Sequence, residues 1–509
     1  MQDDEWVSRL RDLVADKVRE LLRGRPLAEL ASLDRTEELI RSLMTTLTVA
    51  SFDVWAGELE LAAVTVARAC PGCGADRKCK RRKGAPMEIR ALGVTVALPK
   101  PYLECARCDA PGVSISALLT GLSDGSTSAE LELRAGYSAS QHSYGKAKRD
   151  LAAHYGETLE RTKLRRVSLE VEAHAVDFAE RARAEALRRI GEERRTVGVA
   201  TLMLQGDGGI VRTGKLAPCE KGDAGFGKKT AVRGVAQRKR ETQYRELMTF
   251  DVRVPGASEV CALDVLVPVH AAQGERARRM LALAARHGLG DNTEVIGLGD
   301  MGSGMPVAFG EAFVGYPKSH WYTDWHHACD YVRKAGEVLQ GLDVPPWREK
   351  MRQAIWNRDE HERDRLLRRA RKHRVPNLPA QWEKCPVATL TTYLTNNWDH
   401  LRSAELKARG FDYVSARAEA QVRDRTQARF AVPGAWLSEN LEGKATLRAI
   451  IDEGCWAAFR ADYLRTRATK FQNDLALRLE HARTEGRISS QQMHALLGTN
   501  NLIPALQAA

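Results

Sequence analysis

A chain of 509 residues exceeds what one hydrophobic core supports, so roughly three to five structural units are expected. Lys plus Arg (78) outnumber Asp plus Glu (66), giving a net charge of +12 and a sequence pI near 9.2, a balance that favours a polyanionic partner. No apolar run approaches the roughly 20 residues that cross a bilayer, and the opening MQDDEWVSRL lacks the charged-then-apolar order of a secretory signal, so a cytoplasmic, nucleoid-associated protein is expected.

Residues 1–66 read as a helical region, with Trp6, Leu10, Leu13, Val14, Val18 and Leu21 near helical spacing and a break at Arg23-Gly24-Arg25-Pro26. Residues 67–115 change to short β-prone pieces between cysteine pairs. Residues 116–195 return to helix, rich in Ala, Glu, Arg and Lys. Within them SYGKAKRDLAAHYGETLERTKLRRV has the helix–Gly turn–basic helix texture of a helix-turn-helix, and a plain helical linker fits that texture equally.

Residues 196–340 alternate strand and helix, an α/β order. TVGVATLMLQGD, TAVRGVAQRK and YRELMTFDVRV read as strands, GERARRMLALAARHG as a helix, and TEVIGLGD and SHWYTDWHH as further strands. Residues 341–410 read as helix interrupted at KHRVPNLP, and 411–509 as helix again. The expected fold class is therefore multidomain α/β plus α. Positive charge clusters at 78–83, 161–166, 228–240 and 363–374, a distributed track for nucleic-acid phosphates with Lys78, Arg81, Arg82, Arg165 and Arg166 as candidate contacts.

Cys70-Pro-Gly-Cys73 and Cys105-Ala-Arg-Cys108 each put two thiolates on one tight turn. Two such knuckles supply four soft ligands for tetrahedral Zn²⁺, and the β-prone residues between them suit a zinc ribbon. Ten cysteines with this pairing suit a reducing compartment better than a disulfide framework.

Three acids stand apart. Asp207 in LMLQGDGGIV and Asp300 in TEVIGLGDMG each follow an apolar run of the kind a buried strand makes, and Glu419 lies on a polar, arginine-rich segment. Hard divalent cations take oxygen ligands, and two of them about 4 Å apart can be held by carboxylates from distant parts of a chain. On a basic protein such a set points to metal-dependent phosphoryl transfer on nucleic acid. Asp324 and His327, three apart, can share one helix face in a metal or phosphate role, while Asp324 is also suited to cap the helix that follows it. Around Glu419, Arg417, Arg423, Arg425 and Arg429 suit phosphate contacts or exposed ion pairs.

In order, CPGCG…CARC, QGDGGIVRTG, YREL (244–247), GLGDMG, TDWHHACDYV and TYLTNNWDHLRSAELKARGFDYVSARAE, trailed by Arg429 and Trp436, resemble a prokaryotic insertion-sequence transposase of the Kra group. That group belongs to the Mutator-like class of DDE transposases, and the resemblance covers the chain from about residue 65 onward. It implies a ribonuclease H-like core interrupted by a helical insertion, here 341–410, and closed by the last part at 411–509. It implies Asp207, Asp300 and Glu419 as catalytic ligands of Mg²⁺ or Mn²⁺, with Asp324 and His327 as the family's (C/D)xxH element. It also implies DNA partners, the element's terminal repeats and the target, engaged by a homodimer or larger oligomer. The chain departs from the family at Val414-Ser-Ala-Arg-Ala-Glu419-Ala, where Gly-Ser-Gly-x-Val-Glu-Ser is usual, and Glu439 and Glu442 are the alternative third acids. Two other functions stay open: a non-catalytic DNA-binding descendant, and a ribonuclease H-like nuclease or resolvase.

Overall fold

The computed structural model describes residues 33–498 apart from 82–85, 99–100, 123–124, 157–158, 193–196, 224–237, 257–261, 268–270, 273, 302–303, 376–383, 417–429 and 431–435, with scattered residues between 8 and 23. The chain divides into two compact units, Met1–Val171 with Ala457–Ala509, and Glu172–Trp456.

In the first unit α1 (Leu33–Val66) leads to four short strands. β1 (Lys78–Arg81) pairs antiparallel with β4 (Pro101–Glu104), while β2 (Met87–Ala91) pairs antiparallel with β3 (Val94–Leu98). Strict alternation in β2 and β3 buries Met87, Ile89, Val94 and Val96 against Ala56, Phe52 and Trp55 of α1. After α2 (Ile115–Thr120), β5 (Ser126–Thr127) joins β2, and three helices follow: α3 (Ala129–Gln141), α4 (Tyr144–Tyr155) and α5 (Arg161–Glu192), of which Glu172 onward belongs to the second unit. Ser128 and Ser143 accept the Leu131 and Lys146 amides as N-caps, and Gly156 ends α4 at φ +69. Leu131, Ala135, Ala147, Leu151, Leu164 and Val167 form the three-helix core.

The second unit is built on a mixed sheet in the order β10-β9-β6-β7-β8. β6 (Thr201–Pro218) and β7 (Arg238–Arg253) form a long antiparallel ribbon, and β8 (Ala262–Leu266) adds antiparallel to β7. α6 (Glu275–Arg286) then crosses to β9 (Glu294–Gly299), which runs parallel to β6, and α7 (Met305–Ala312) crosses to β10 (Ser319–Thr323), parallel to β9. Leu202, Leu204, Phe250 and Val252 pack on Met280, Leu283 and Phe309 of these crossover helices. The opposite face carries Met203, Ile296, Leu298 and Tyr322.

From β10 the chain enters α8 (Trp325–Glu337), α9 (Val344–Trp356), α10 (Glu360–His373) and α11 (Pro386–Asn397), which share a core of Val332, Trp347, Met351, Leu366 and Leu390. α12 (Ser403–Ala408) brings Leu406 back to the sheet face holding Met203 and Leu298. β11 (Trp436–Leu437) pairs parallel with Thr213 and Gly214 of β6, and α13 (Leu441–Asp452) packs Leu441 and Ala445 on Val211, Leu247 and Val265. Buried ions bind this region together. Asp264 of β8 accepts Arg183 of α5 at 3.1 Å, and Lys444 of α13, wholly inaccessible, pairs with Glu172. The first unit is completed by α14 (Trp456–Thr484) and α15 (Ser490–Gly498). Among the described residues no helix is long and apolar enough to cross a membrane.

The strand expectations differ in three places. The run through Asp207 was expected to end there, whereas β6 continues to Pro218 because Gly208 onward stays paired with β7. TAVRGVAQRK lies largely outside the described residues, and its last two begin β7 in one strand with YRELMTFDVR. β8, the apolar ALDVL, was not foreseen. The helical expectations for 116–195 and 341–410 are met over the described residues, with β5 as a short exception.

Candidate active site and metal centre

Pairing aligns Gly206 of β6 with Gly299 of β9, and Gly299 with Thr323 of β10. The next residues are Asp207, Asp300 and Asp324, so three carboxylates stand in one row at the C-terminal ends of adjacent parallel strands, the edge where open α/β sheets receive ligands. Beyond Gly206 the β9 neighbour of β6 stops, which opens that side of Asp207 although β6 itself continues. Packing dictates the glycines before the first two acids: a Cβ on Gly206 would run into Met305, and one on Gly299 into the Gly206 carbonyl and Trp321.

Asp207 is partly buried and accepts the Gly208 amide at 2.7 Å; Asp300 accepts that of Met301 at 2.7 Å. Burial pushes the Asp207 carboxyl above the usual range, the Gly208 amide and His327 pull it back, and the charges of Asp300 and Asp324 push it further up. His327 lies on the first turn of α8 with Nδ1 4.0 Å from Asp300 Oδ1.

Asp324 plays another part. It is fully buried, its Oδ1 accepts the His327 amide at 2.9 Å as the N-cap of α8, and its Oδ2 accepts the amide of Ser415. Its own amide donates to the Gly299 carbonyl at 3.1 Å, and the Trp325 amide donates to Tyr413 O at 3.2 Å. Both oxygens are therefore spent on backbone, so the cap reading holds and Asp324 is a clasp. It fastens the end of β9, the start of α8 and the chain returning from the helical region.

Glu419 and Arg429 lie outside the described residues, as does Arg82. Of the alternative acids, Glu439 stands apart from the aspartates. β11 sets Glu439 beyond Thr213, six residues along β6 from Asp207 and so about 20 Å away. Glu442 is engaged by Arg279 at 2.6 Å.

The cysteines converge. β1 and β4 pair Lys78 with Glu104, which brings the knuckles on either side together: Cys70 Sγ lies 3.5 Å from Cys108 Sγ, and Cys73 Sγ 3.5 Å from Cys105 Sγ. All four sulfurs lie within 4.8 Å of one another and could hold a metal ion such as zinc; among the described residues no other group of three or more His, Cys, Asp or Glu does so. Against the burial that opposes it, the Cys73 and Gly72 amides draw Cys70 down to about 6. Cys108 accepts the Ala110 amide, yet the neighbouring thiols push it up to about 12. Buried Arg77 donates to Pro111 O at 3.2 Å and to Arg487 O at 2.8 Å, and Gln492 of α15 donates to Ala69 O at 2.8 Å. The last helices thus brace a module some 400 residues earlier, which no local signal in the sequence announces.

Of the basic candidates in this unit, Lys78, Arg165 and Arg166 are exposed, and Arg81 lies on β1. No protein-family model and no curated protein matches the chain.

Proposed function

We propose that the protein is a DNA transposase of the DDE class, cleaving and joining insertion-element ends through two divalent cations. The observation that carries this is the side-by-side placement of Asp207 and Asp300 on adjacent parallel strands, at the centre of a sheet ordered β8-β7-β6-β9-β10 with only β7 antiparallel to its neighbours. That order supports a ribonuclease H-like core at 196–340, with the helical bundle at 341–410 as an insertion and the remainder at 411–509.

The donor set fits Mg²⁺ or Mn²⁺. Asp207 and Asp300 offer adjacent carboxylates that each accept one short backbone hydrogen bond and keep lone pairs open. Glu419 would complete the set. Ser415, four residues before it in the sequence, is held by Asp324 in the row beside Asp300. Bound there, the cations supply an activated water or 3′-hydroxyl and stabilise the entering and leaving oxygens. His327 adds a donor beside Asp300, and Asp324 fixes the relation between β9 and the approach to Glu419.

The cysteine cluster at 67–115, read as a zinc ribbon, and the helices at 116–195 form the DNA-recognition part. Lys78, Arg165 and Arg166 contact phosphates there, joined by Arg81, Arg82 and Arg429. Cleavage at two ends requires a dimer or larger assembly. A second reading, a non-catalytic DNA-binding descendant, is favoured by the glycine-poor approach Val414-Ser-Ala-Arg-Ala to Glu419. The test is incubation with DNA from the borders of the reading frame, with and without Mg²⁺. Cation-dependent strand cleavage and joining support the transposase. Salt-dependent binding without cleavage supports the second reading. Cleavage without joining and without regard to border sequence would make the protein a nuclease.

A further inference from the structure

Three buried polar side chains that hydrogen-bond to nothing surround the acid row. Gln205 is wholly inaccessible, and neither its amide nitrogen nor its amide oxygen has a partner. It lies two residues before Asp207 on β6, so strand alternation puts both side chains on one face. Thr249 of β7 stands directly across the ribbon from Asp207, and its hydroxyl is buried and unpartnered. Tyr393 comes from α11, is 7% exposed, and stacks on Tyr331 of α8 with ring centroids 4.0 Å apart at 21°. Its hydroxyl is likewise unpartnered, and Tyr331 lies one helical turn beyond His327, on the face of α8 that meets Asp300.

Burying a polar group without a hydrogen bond is costly, and folded proteins tolerate it where a ligand or ordered water completes the set. Here β6 and β7 each present one such group on the sheet face of Asp207, and the helical bundle presents a third against α8, the helix that carries His327. The two carboxylates between them accept one backbone amide apiece and turn to none of the three. A hydrated divalent cation satisfies both sides at once. A cation held by Asp207 and Asp300 would bring coordinated waters as hydrogen donors, and the Gln205 amide oxygen with the Thr249 and Tyr393 hydroxyl oxygens are acceptors this chain would offer them.

We infer that Gln205, Thr249 and Tyr393 form an outer hydrogen-bonding shell that positions the waters of cations held by Asp207 and Asp300. The inference rests on the two-cation reading above. It makes Tyr393 the contribution of the helical bundle to the site.

The experiment uses the full chain and Gln205→Leu, Thr249→Val and Tyr393→Phe, each close in shape to the residue it replaces. Melting temperature is measured without added Mn²⁺, and Mn²⁺ binding is titrated by electron paramagnetic resonance. The expected result is a melting temperature without Mn²⁺ that is unchanged or raised, because an unsatisfied group has been removed, together with Mn²⁺ binding weakened about 10-fold. A variant that melts lower without Mn²⁺ and binds Mn²⁺ as the wild type does has lost a structural partner, which overturns the inference for that residue. If the wild type binds Mn²⁺ and all three variants bind it equally, the inference falls and the two-cation reading stands. If the wild type binds no Mn²⁺, the two-cation reading falls and takes the inference with it.

Discussion

Asp324→Asn removes one negative oxygen from the clasp and changes nothing else in shape. Asn serves as well as Asp at a helix N-cap, so the hydrogen bond from the His327 amide survives through the remaining oxygen. The other position becomes an NH₂ that faces the Ser415 amide donor to donor. Losing a charge-assisted hydrogen bond and leaving a buried amide unpaired costs about 2–3 kcal/mol. Because one partner lies on a returning loop, the cost falls first on local opening around 413–416. Hydrogen exchange of the peptide spanning Tyr413 to Ala416 should therefore accelerate roughly 30- to 100-fold, since each 1.4 kcal/mol is a factor of about ten. Amides of β9 should be unaffected. Asp324→Ala should add about 1 kcal/mol more by removing the cap, with faster exchange at His327. Unchanged protection at Ser415 in Asp324→Asn would refute the clasp.

The remaining predictions concern stability and the thiols. Lys444→Met removes the buried cation that pairs with the Glu172 carboxylate and should cost about 3–5 kcal/mol in urea unfolding of the second unit. Lys444→Met with Glu172→Gln should recover most of that, and equal losses in the single and double variants would contradict it. Burial and Arg286 push His287 down to about 4, below its unfolded value of 6.5. The unfolded chain therefore takes the proton first, and stability falls as pH drops from about 6.5 toward 4, by about 2 kcal/mol for this partly exposed ring. His287→Gln should flatten that slope in urea unfolding, and an unaltered slope would show that the ring carries none of it. The purified protein should carry one equivalent of zinc at the four cysteines by elemental analysis, and Cys105→Ser should abolish it. Metal-free protein with four freely alkylated thiols would count against that centre.

Much of this was legible because the signals were local. The paired CxxC turns located the cysteine cluster, and β1 with β4 brings it together as spacing alone suggested. Apolar runs ending in Gly-Asp located Asp207 and Asp300, because a buried strand and a close-packed glycine both leave a mark in sequence. What escaped depends on contacts distant in the chain. The Ser415 amide is 91 residues from the carboxylate that holds it. Arg77 meets a carbonyl 410 residues away. β8 was hidden because five residues of ALDVL are too short for periodicity to speak, and its place comes from pairing with β7. Gln205 did leave a trace, a lone amide directly after Leu202-Met203-Leu204, and burial gives that trace its meaning.

Cation-dependent cleavage and joining of DNA from the borders of the reading frame, compared between wild type and Asp207→Asn, Asp300→Asn and Glu419→Gln, tests the central claim most directly. The account predicts activity in the wild type only with Mg²⁺ or Mn²⁺, and a loss of at least about 100-fold in each variant with DNA binding retained. Wild-type rates in Asp207→Asn or Asp300→Asn would contradict it.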